Sequence, residues 1–566
     1  MTTTLPHFEH VEHVPVLPAL RDGREKGRGR VLVAGGGPVG LATALALARQ
    51  SIPSLVVEAD TTVCVGSRAI CLSRRTFEIL DRLGALAPFL EKGLPWTGGR
   101  SFHRDEPVLH FTMAHDGDQR LAPMTNIQQY YVEQYLLDAA RTYADLIEIR
   151  WGTRVGAVSQ TADGVAVGLE TDSNSYEVEA EYLVACDGSR SRVRQELGLR
   201  MSGTSYEGRY VIVDVAFESN LPTERMAWFD PPSNPGRTML MHRQPDGVWR
   251  LDYQLAPEED SEEMLRDENI VPVVTAHLAM MGVTTPWRLI WKSVYRAAAV
   301  SLDAYRHGRV LFAGDAAHLV PIFGVRGLNS GFDDAFNLGW KLAYVLRGLA
   351  PEALLDSYSE ERRRAWEFNV ANAMKSTEFM SPPSRGFELM RDAVLSLAGD
   401  EPGLAALINP RQSSTIVYAG SPLTTPAVDD TAAEGPALGA PLLECALEDA
   451  AGDERYLTAA LPDGFVLLLL GDDLPPALRR EAEELRARLP FTLCQIMTDR
   501  NPVPESAGLL SLRDVRGRYR ALYGARPGSA YLVRPDGHVC AHWRSVSPPM
   551  VGEALQRALN TRREMH

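Results

Sequence analysis

An α/β fold in more than one piece is predicted by three features of this 566-residue chain. A short apolar run, a glycine-rich turn, an Ala/Leu-rich helical stretch and a second apolar run follow one another over residues 30–60, the pattern of a parallel βαβ unit. Segments between 205 and 300 alternate apolar and polar residues instead, the period of an antiparallel sheet. After about residue 410 the composition turns Pro-, Ala- and Gly-rich before strand and helix signals resume, which marks a linker and a further unit. One core rarely supports so long a chain, so two or three domains are expected.

The composition is that of a folded protein, with 45% apolar and 23% charged residues. A net charge of −15 argues against a nucleic-acid partner or an anionic membrane surface. The longest apolar run near the C-terminal end, "FVLLLL" at 465–470, is far shorter than the roughly 20 residues of a spanning helix and is read as a buried strand. Six cysteines form neither a disulfide framework nor a metal-ligand spacing, so no metal is expected and a reducing, cytoplasmic setting is. Residues 1–28 carry no apolar signal-like core and read as a flexible arm.

The stretch "RVLVAGGGPVGLATALALARQSIPSLVVEAD" (30–60) holds Gly35, Gly37, Pro38 and Gly40 in a G-x-G-x-x-G turn between strand and helix. In a Rossmann-like unit the first glycine allows the turn, the second admits a pyrophosphate and the third lets helix and strand pack closely. Glu58, about twenty residues on, is placed to accept from ribose hydroxyls and disfavours a 2′-phosphate, which points to the ADP of FAD or NAD.

Two later stretches narrow the choice. "EYLVACDGSRSRVRQELGL" (181–199) runs a strand into Asp187-Gly188 and a basic helix start. "GRVLFAGDAAH" (308–318) runs a strand into Gly314-Asp315, then a Pro- and Gly-rich loop and a helix. A carboxylate after a buried strand needs a donor, and sugar-like hydroxyls are suitable ones.

In this order the three stretches resemble the FAD-dependent aromatic hydroxylases of the p-hydroxybenzoate hydroxylase family over about residues 29–375. "VACDGSRSRVR", "YVIVDVAFES" and "LLDSYSEERR" look similar to the branch of 3-(3-hydroxyphenyl)propionate and phenol hydroxylases. The resemblance implies a monooxygenase that takes electrons from NAD(P)H, forms a flavin C4a-hydroperoxide with O2 and hydroxylates a small phenolic substrate. It places Gly35, Gly37 and Gly40 at the pyrophosphate and Glu58 at the adenosine ribose. It brings Arg68 and Gln129 to the cofactor, and gives Asp187 to the motif associated with FAD and NAD(P)H. Asp315 would hold the ribityl chain, with Pro321 beside the isoalloxazine edge, and Gly324, Gly327, Leu328 and Asn329 would offer backbone N–H groups to the pyrimidine ring. A helix starting near Asn329 aims its positive end at the charge of reduced flavin. Where many relatives have "GQG" or "GGQG", this chain has "GVRG", so Arg326 either adds charge beside the flavin or turns outward to solvent. His318 is read as ordering the loop.

The domains expected are an arm (1–28), an FAD-binding domain in two parts (29–204 and 301–410), an antiparallel substrate sheet (205–300), and a linker with a thioredoxin-like unit lacking CxxC (411–566). The last is read as a packing or homodimer-forming piece. Trp228, His242, Arg250 and Tyr253 are candidates to line the substrate pocket, with Tyr253 or His242 accepting a phenolic proton. "ALLDSYSEERRRAWEFN" (353–369) reads as a helix closing the core. Two rivals are weighed: a disulfide reductase using Cys64 and Cys71, whose six-residue spacing is too long, and a halogenase, whose Trp-x-Trp-x-Ile-Pro signature is missing. The alternative class is a non-hydroxylating flavoprotein oxidase or an FAD-binding protein with a decayed site.

Overall fold

The computed structural model describes residues 5–408, 415–426, 435–498 and 508–561, in three large sheets and a small one of Cys71–Ser73, Met124–Asn126 and Leu94–Trp96, with helices packed on and between them. The boundary expected at residue 411 lies outside the described residues.

The first sheet is the parallel one. Its strands run Ile147–Arg150, Ser54–Val57, Arg24–Ala34, Ser175–Ala185, Val310–Phe312 in spatial order, and Arg154–Gln160 and Val165–Glu170 extend it antiparallel. Val31 to Ala34 are at most 1% exposed, as a parallel strand covered on both faces requires. The helix Pro38–Ala48 packs between this sheet and the helix Gly327–Leu346.

The second sheet is ordered His318–Leu319, Arg288–Ser301, Ser202–Ala216, Val248–Gln254, Thr238–Arg243, Arg225–Phe229, Gly98–His103, Glu106–Thr112. It is antiparallel except where Arg225–Phe229 pairs in parallel with Gly98–His103. It therefore reaches outside the expected 205–300 span. Its outer face packs on the helix Asp267–Met280 through Ile270, Val274 and Leu278. Its inner face packs on Phe323 and on Met380, the end of the helix Leu354–Met380.

The third sheet centres on Leu509–Arg513, Phe491–Met497 and Phe465–Leu470, which are parallel, with Ala530–Val533 and Val539–Trp543 antiparallel at one side. Its core is continuous with Trp340 and Tyr344 of the helix Gly327–Leu346. Beside that seam lies a buried charge cluster: Glu361 accepts from Lys341 and Arg534, and Arg534 also pairs with Asp536.

The start of the chain corrects the flexible-arm reading. Leu5 and Phe8 are buried, Phe8 packs on Tyr130 and Tyr131, and His13 stacks on Trp151. The strand Arg24–Ala34 begins inside the segment assigned to the arm.

Candidate active site

The fingerprint turn has the shape its glycines require. Gly35 has φ +100°, and a Cβ there would lie 2.5 Å from the Cys186 carbonyl oxygen. A Cβ on Gly40 would lie 1.9 Å from the Gly35 carbonyl oxygen. The Cβ position of Gly37 meets nothing within 4 Å, so this side of the turn is open to a ligand. Gly37 caps the helix Pro38–Ala48, whose first-turn N–H groups point the same way. Glu58 is held in place by backbone donors: Gly36 N–H reaches Oε2 at 2.6 Å and Asp60 N–H reaches Oε1 at 2.9 Å. Burial raises its carboxyl above the ordinary range despite those bonds.

Asp315 makes no hydrogen bond or ion pair among the described residues; its surface is exposed, yet its carboxylate is crowded by protein groups. Burial raises it, while His318 and Arg68 pull the other way. Arg68, exposed on the loop after Ser67, is thus close enough to act on the Asp315 carboxylate. An acceptor without a partner, an open glycine turn and a helix start at Gly327 suit a dinucleotide with a polyol chain, and FAD fits this donor and acceptor set.

The loop between Asp315 and the helix is held by Asp334. Its Oδ2 accepts Gly314 N–H at 2.9 Å and faces His318 Nε2 at 2.7 Å, and its Oδ1 accepts Arg362 Nε–H at 2.5 Å. Burial alone would raise Asp334, but Arg362 and then His318 outweigh it and hold it below the carboxylate range. His318 therefore orders the loop. Pro321 and Gly324 are buried, and Gly327 and Leu328 open the helix half-buried.

The side chains around the expected cofactor site are largely engaged within the protein, Gln129 among them, while the Asn329 side chain braces the helix start whose backbone N–H groups are expected at the ring. Asn329 Oδ1 accepts Ser73 N–H and the Thr76 hydroxyl, and its Nδ2 donates to the Cys71 and Val325 carbonyls. Gln129 Oε1 accepts Ala69 N–H and its Nε2 donates to Glu133. Asp187 Oδ2 accepts Val193 N–H at the start of the helix Arg192–Glu196, leaving Oδ1 buried without a partner. Arg326 does not turn to solvent: it is 2% exposed and donates to Asn369 Oδ1 at 3.0 Å.

On the inner face of the second sheet, Asp214, Arg250, His242 and Arg225 lie in one row, each opposite the next. Arg250 forms a two-point pair with Asp214 and donates to the carbonyls of Ser67 and Arg68, so it positions the loop that carries Arg68. His242 is held neutral, down to about 3, by burial and by Arg225 and Arg250. It neighbours the Cys71 thiol, which donates to Asn126 Oδ1.

Tyr253 and Trp228 belong to the opposite face, in the core against the helix Asp267–Met280, and this corrects their place as pocket residues. The Tyr253 hydroxyl has no partner and burial pushes its pKa upward. Strand alternation instead turns Asp252 and Arg225 inward, two residues that sequence reasoning missed. All six cysteines are free, and burial raises Cys71 to about 12 and lifts Cys64 as well, so neither thiol is set up as a ready thiolate.

Comparison with known proteins agrees with this geometry. A model described as FAD binding domain matches residues 28–373, and one described as HcaD C-terminal domain matches residues 439–558. A 3-(3-hydroxy-phenyl)propionate/3-hydroxycinnamic acid hydroxylase of Mycolicibacterium smegmatis is 28% identical over 550 residues, covering 94% of this chain and 93% of its own. The flavin-dependent monooxygenase PieE, solved with FAD and substrate, superposes with a TM-score of 0.78 at 23% identity, over 95% of this chain and 100% of that one. Aklavinone-11 hydroxylase, solved with FAD and aklavinone, gives 0.76 at 25% identity with the same coverage. With more than half of its length matched and the turn, the carboxylate and the helix start in place, the chain belongs to the FAD binding domain family.

Proposed function

We propose that the protein is an FAD-dependent monooxygenase that hydroxylates a phenolic ring with O2 and NAD(P)H. The observation that supports it best is the seat of the loop Pro321–Arg326 against the inner face of the second sheet, where Phe323 meets Tyr210 edge-on with ring centres 5.4 Å apart. A ring held on that face lies next to the edge of a cofactor held by Gly35, Gly37, Gly40 and Asp315. The relatives named as hydroxylases, matched over nearly the whole chain, support the same reading.

Bound FAD supplies the redox chemistry, carrying electrons from NAD(P)H to O2 and delivering one oxygen atom. The protein's share is placement. Asp315 accepts from the ribityl hydroxyls, Glu58 serves the adenosine ribose, and Arg68 adds positive charge near Asp315. The start of the helix Gly327–Leu346, with the N–H groups of Gly324 to Asn329, favours negative charge on the reduced ring. Phe229, Phe323 and Phe379 line an adjoining cavity and exclude water. The third sheet is a thioredoxin-like frame without a redox pair, serving packing and homodimer formation, and the free cysteines suit the cytoplasm.

The test is a panel of phenols offered to purified, FAD-containing protein. Ring-hydroxylated product equal to the substrate-stimulated NAD(P)H consumption is expected. Peroxide without product across the panel would replace this reading with a non-hydroxylating oxidase.

A further inference from the structure

The inner face of the second sheet carries two opposite charges that the described residues leave without partners. Asp252 and Arg225 are each 6% exposed; Asp252 Oδ1 has no hydrogen-bond partner, and among the described residues neither side chain makes a hydrogen bond or an ion pair. The contrast with the neighbouring row is sharp, since Asp214 and Arg250 saturate each other and two carbonyls. An unpaired buried charge is costly, and pairing Asp252 with Arg225 would relieve both at once. They are nonetheless held apart on different strands, with Thr238–Arg243 between them. Such a gap suits a polar group that donates to the carboxylate and shows negative charge to the guanidinium.

The surroundings say what that group is attached to. Arg225 lines a cavity with Phe229, Phe323 and Phe379, and Ser101, Lys375 and Ser376 add polar groups to the same wall, a setting for a ring that carries polar substituents. Phe323 belongs to the loop that leads to the cofactor-facing helix, so the ring lies on the reactive side.

We propose that Asp252 accepts the proton of the substrate's ring hydroxyl and that Arg225 faces the oxyanion this leaves. The proposal rests on the hydroxylase reading above. The O–H bond breaks, the proton passes to an Asp252 carboxylate oxygen, and the electron pair stays on the ring oxygen. Nothing is oxidised in this step. The ring becomes richer in electrons for attack on the oxygen donor, and the proton returns to the same ring oxygen when aromaticity is restored.

The electrostatics agree. Burial raises Asp252 to about 7; Arg250 and Arg225 draw it down and Asp214 pushes it up. Tyr210 and Cys71 also face it, both held protonated, and His242 is neutral. Lys375, on the Leu354–Met380 helix, reaches the same cavity from the solvent side. A base near neutrality is well matched to a phenol.

The probe is 4-nitrophenol, whose phenolate is coloured, titrated into the FAD-loaded protein at pH 6 and read as a difference spectrum against the holoprotein. Wild type is expected to bind it as phenolate, and Asp252→Asn to bind it neutral, with Asp252→Glu restoring most of the phenolate signal. Equal ionisation in wild type and Asp252→Asn, or no binding at all, overturns the proposal. FAD content and thermal midpoint report folding. If Asp252→Asn loses FAD, Arg225→Met replaces it and is expected to lower the bound phenolate fraction at least tenfold, an unchanged fraction again overturning the proposal. Binding requires no turnover, so failure here leaves hydroxylation standing, and a failure to form product leaves this result standing.

Discussion

Glu361 and Arg534, 173 positions apart in the chain, form a two-point ion pair of 2.5 and 3.0 Å that is buried where the third sheet meets the FAD-binding body. Lys341 at 2.7 Å, Asn337 at 2.9 Å and the Ser421 hydroxyl at 2.6 Å also donate to the carboxylate. Removing one partner strands the others in a dry interface, so Glu361→Gln is expected to lower stability by about 3–5 kcal/mol. Urea unfolding at pH 7 measures it, and an unchanged midpoint would show that the pair contributes nothing net.

The same pair sets an acid limit. Burial alone would raise Glu361, but Arg534 and then Lys341 outweigh it and hold it below the usual carboxylate range. A carboxyl depressed on folding adds stability that is present above its unfolded pKa, about 4.3, and lost as pH falls from there toward the folded value. Wild type should therefore lose stability between about pH 5 and pH 3, and Glu361→Gln should lose less over that window, as read from unfolding midpoints.

Asp315→Ala is expected to lose most of the FAD, seen as loss of yellow colour after purification. Because the carboxylate has no hydrogen-bond or ion-pair partner among the described residues, the FAD-free variant should be no less stable than FAD-free wild type. Wild-type flavin content would remove Asp315 from the site.

Gly40→Ala drives a Cβ to within 1.9 Å of the Gly35 carbonyl oxygen, where backbone must move. Overpacking of this kind costs about 1–3 kcal/mol. Both a lower thermal midpoint and reduced FAD retention are expected, and retention of both would contradict the close packing of turn and helix.

Cys64→Ser should leave product formation within about twofold of wild type. Its thiol donates to the Gly66 carbonyl, and burial and the neighbouring Glu133 keep it protonated. A hundredfold loss would return the cysteine to the chemistry.

The cofactor half was legible because its signals are local. Gly35, Gly37 and Gly40 act through the shape of one turn, and Asp315 through its place after one strand, so neighbours in sequence carry most of the information. The substrate half was legible as strands, but not as faces. Alternation says that Asp252 and Tyr253 point opposite ways, yet which of them faces the cofactor is decided by the helix Asp267–Met280 on one side and Phe323 on the other, both remote in sequence. The helix itself was hidden by Pro272 and weak amphipathicity, and the strand Gly98–His103 by its glycines. Gln129 stands at its expected position with an unexpected duty, since a carboxamide's partner is fixed only by the packed structure.

Val310–Phe312 lies in parallel beside Leu183–Ala185, at the heart of the sheet that begins with Arg24. The central sheet therefore cannot close until more than half the chain has left the ribosome, and the helix Gly327–Leu346 follows later still. Meanwhile Gly98–His103 must wait for Arg225–Phe229 with its edge unpaired. Such distant pairings slow folding and prolong the exposure of apolar strands. Cofactor capture is thus a late event in the life of each molecule, and the yield of active protein in a cell should depend on FAD supply and holding chaperones more than on the speed of synthesis.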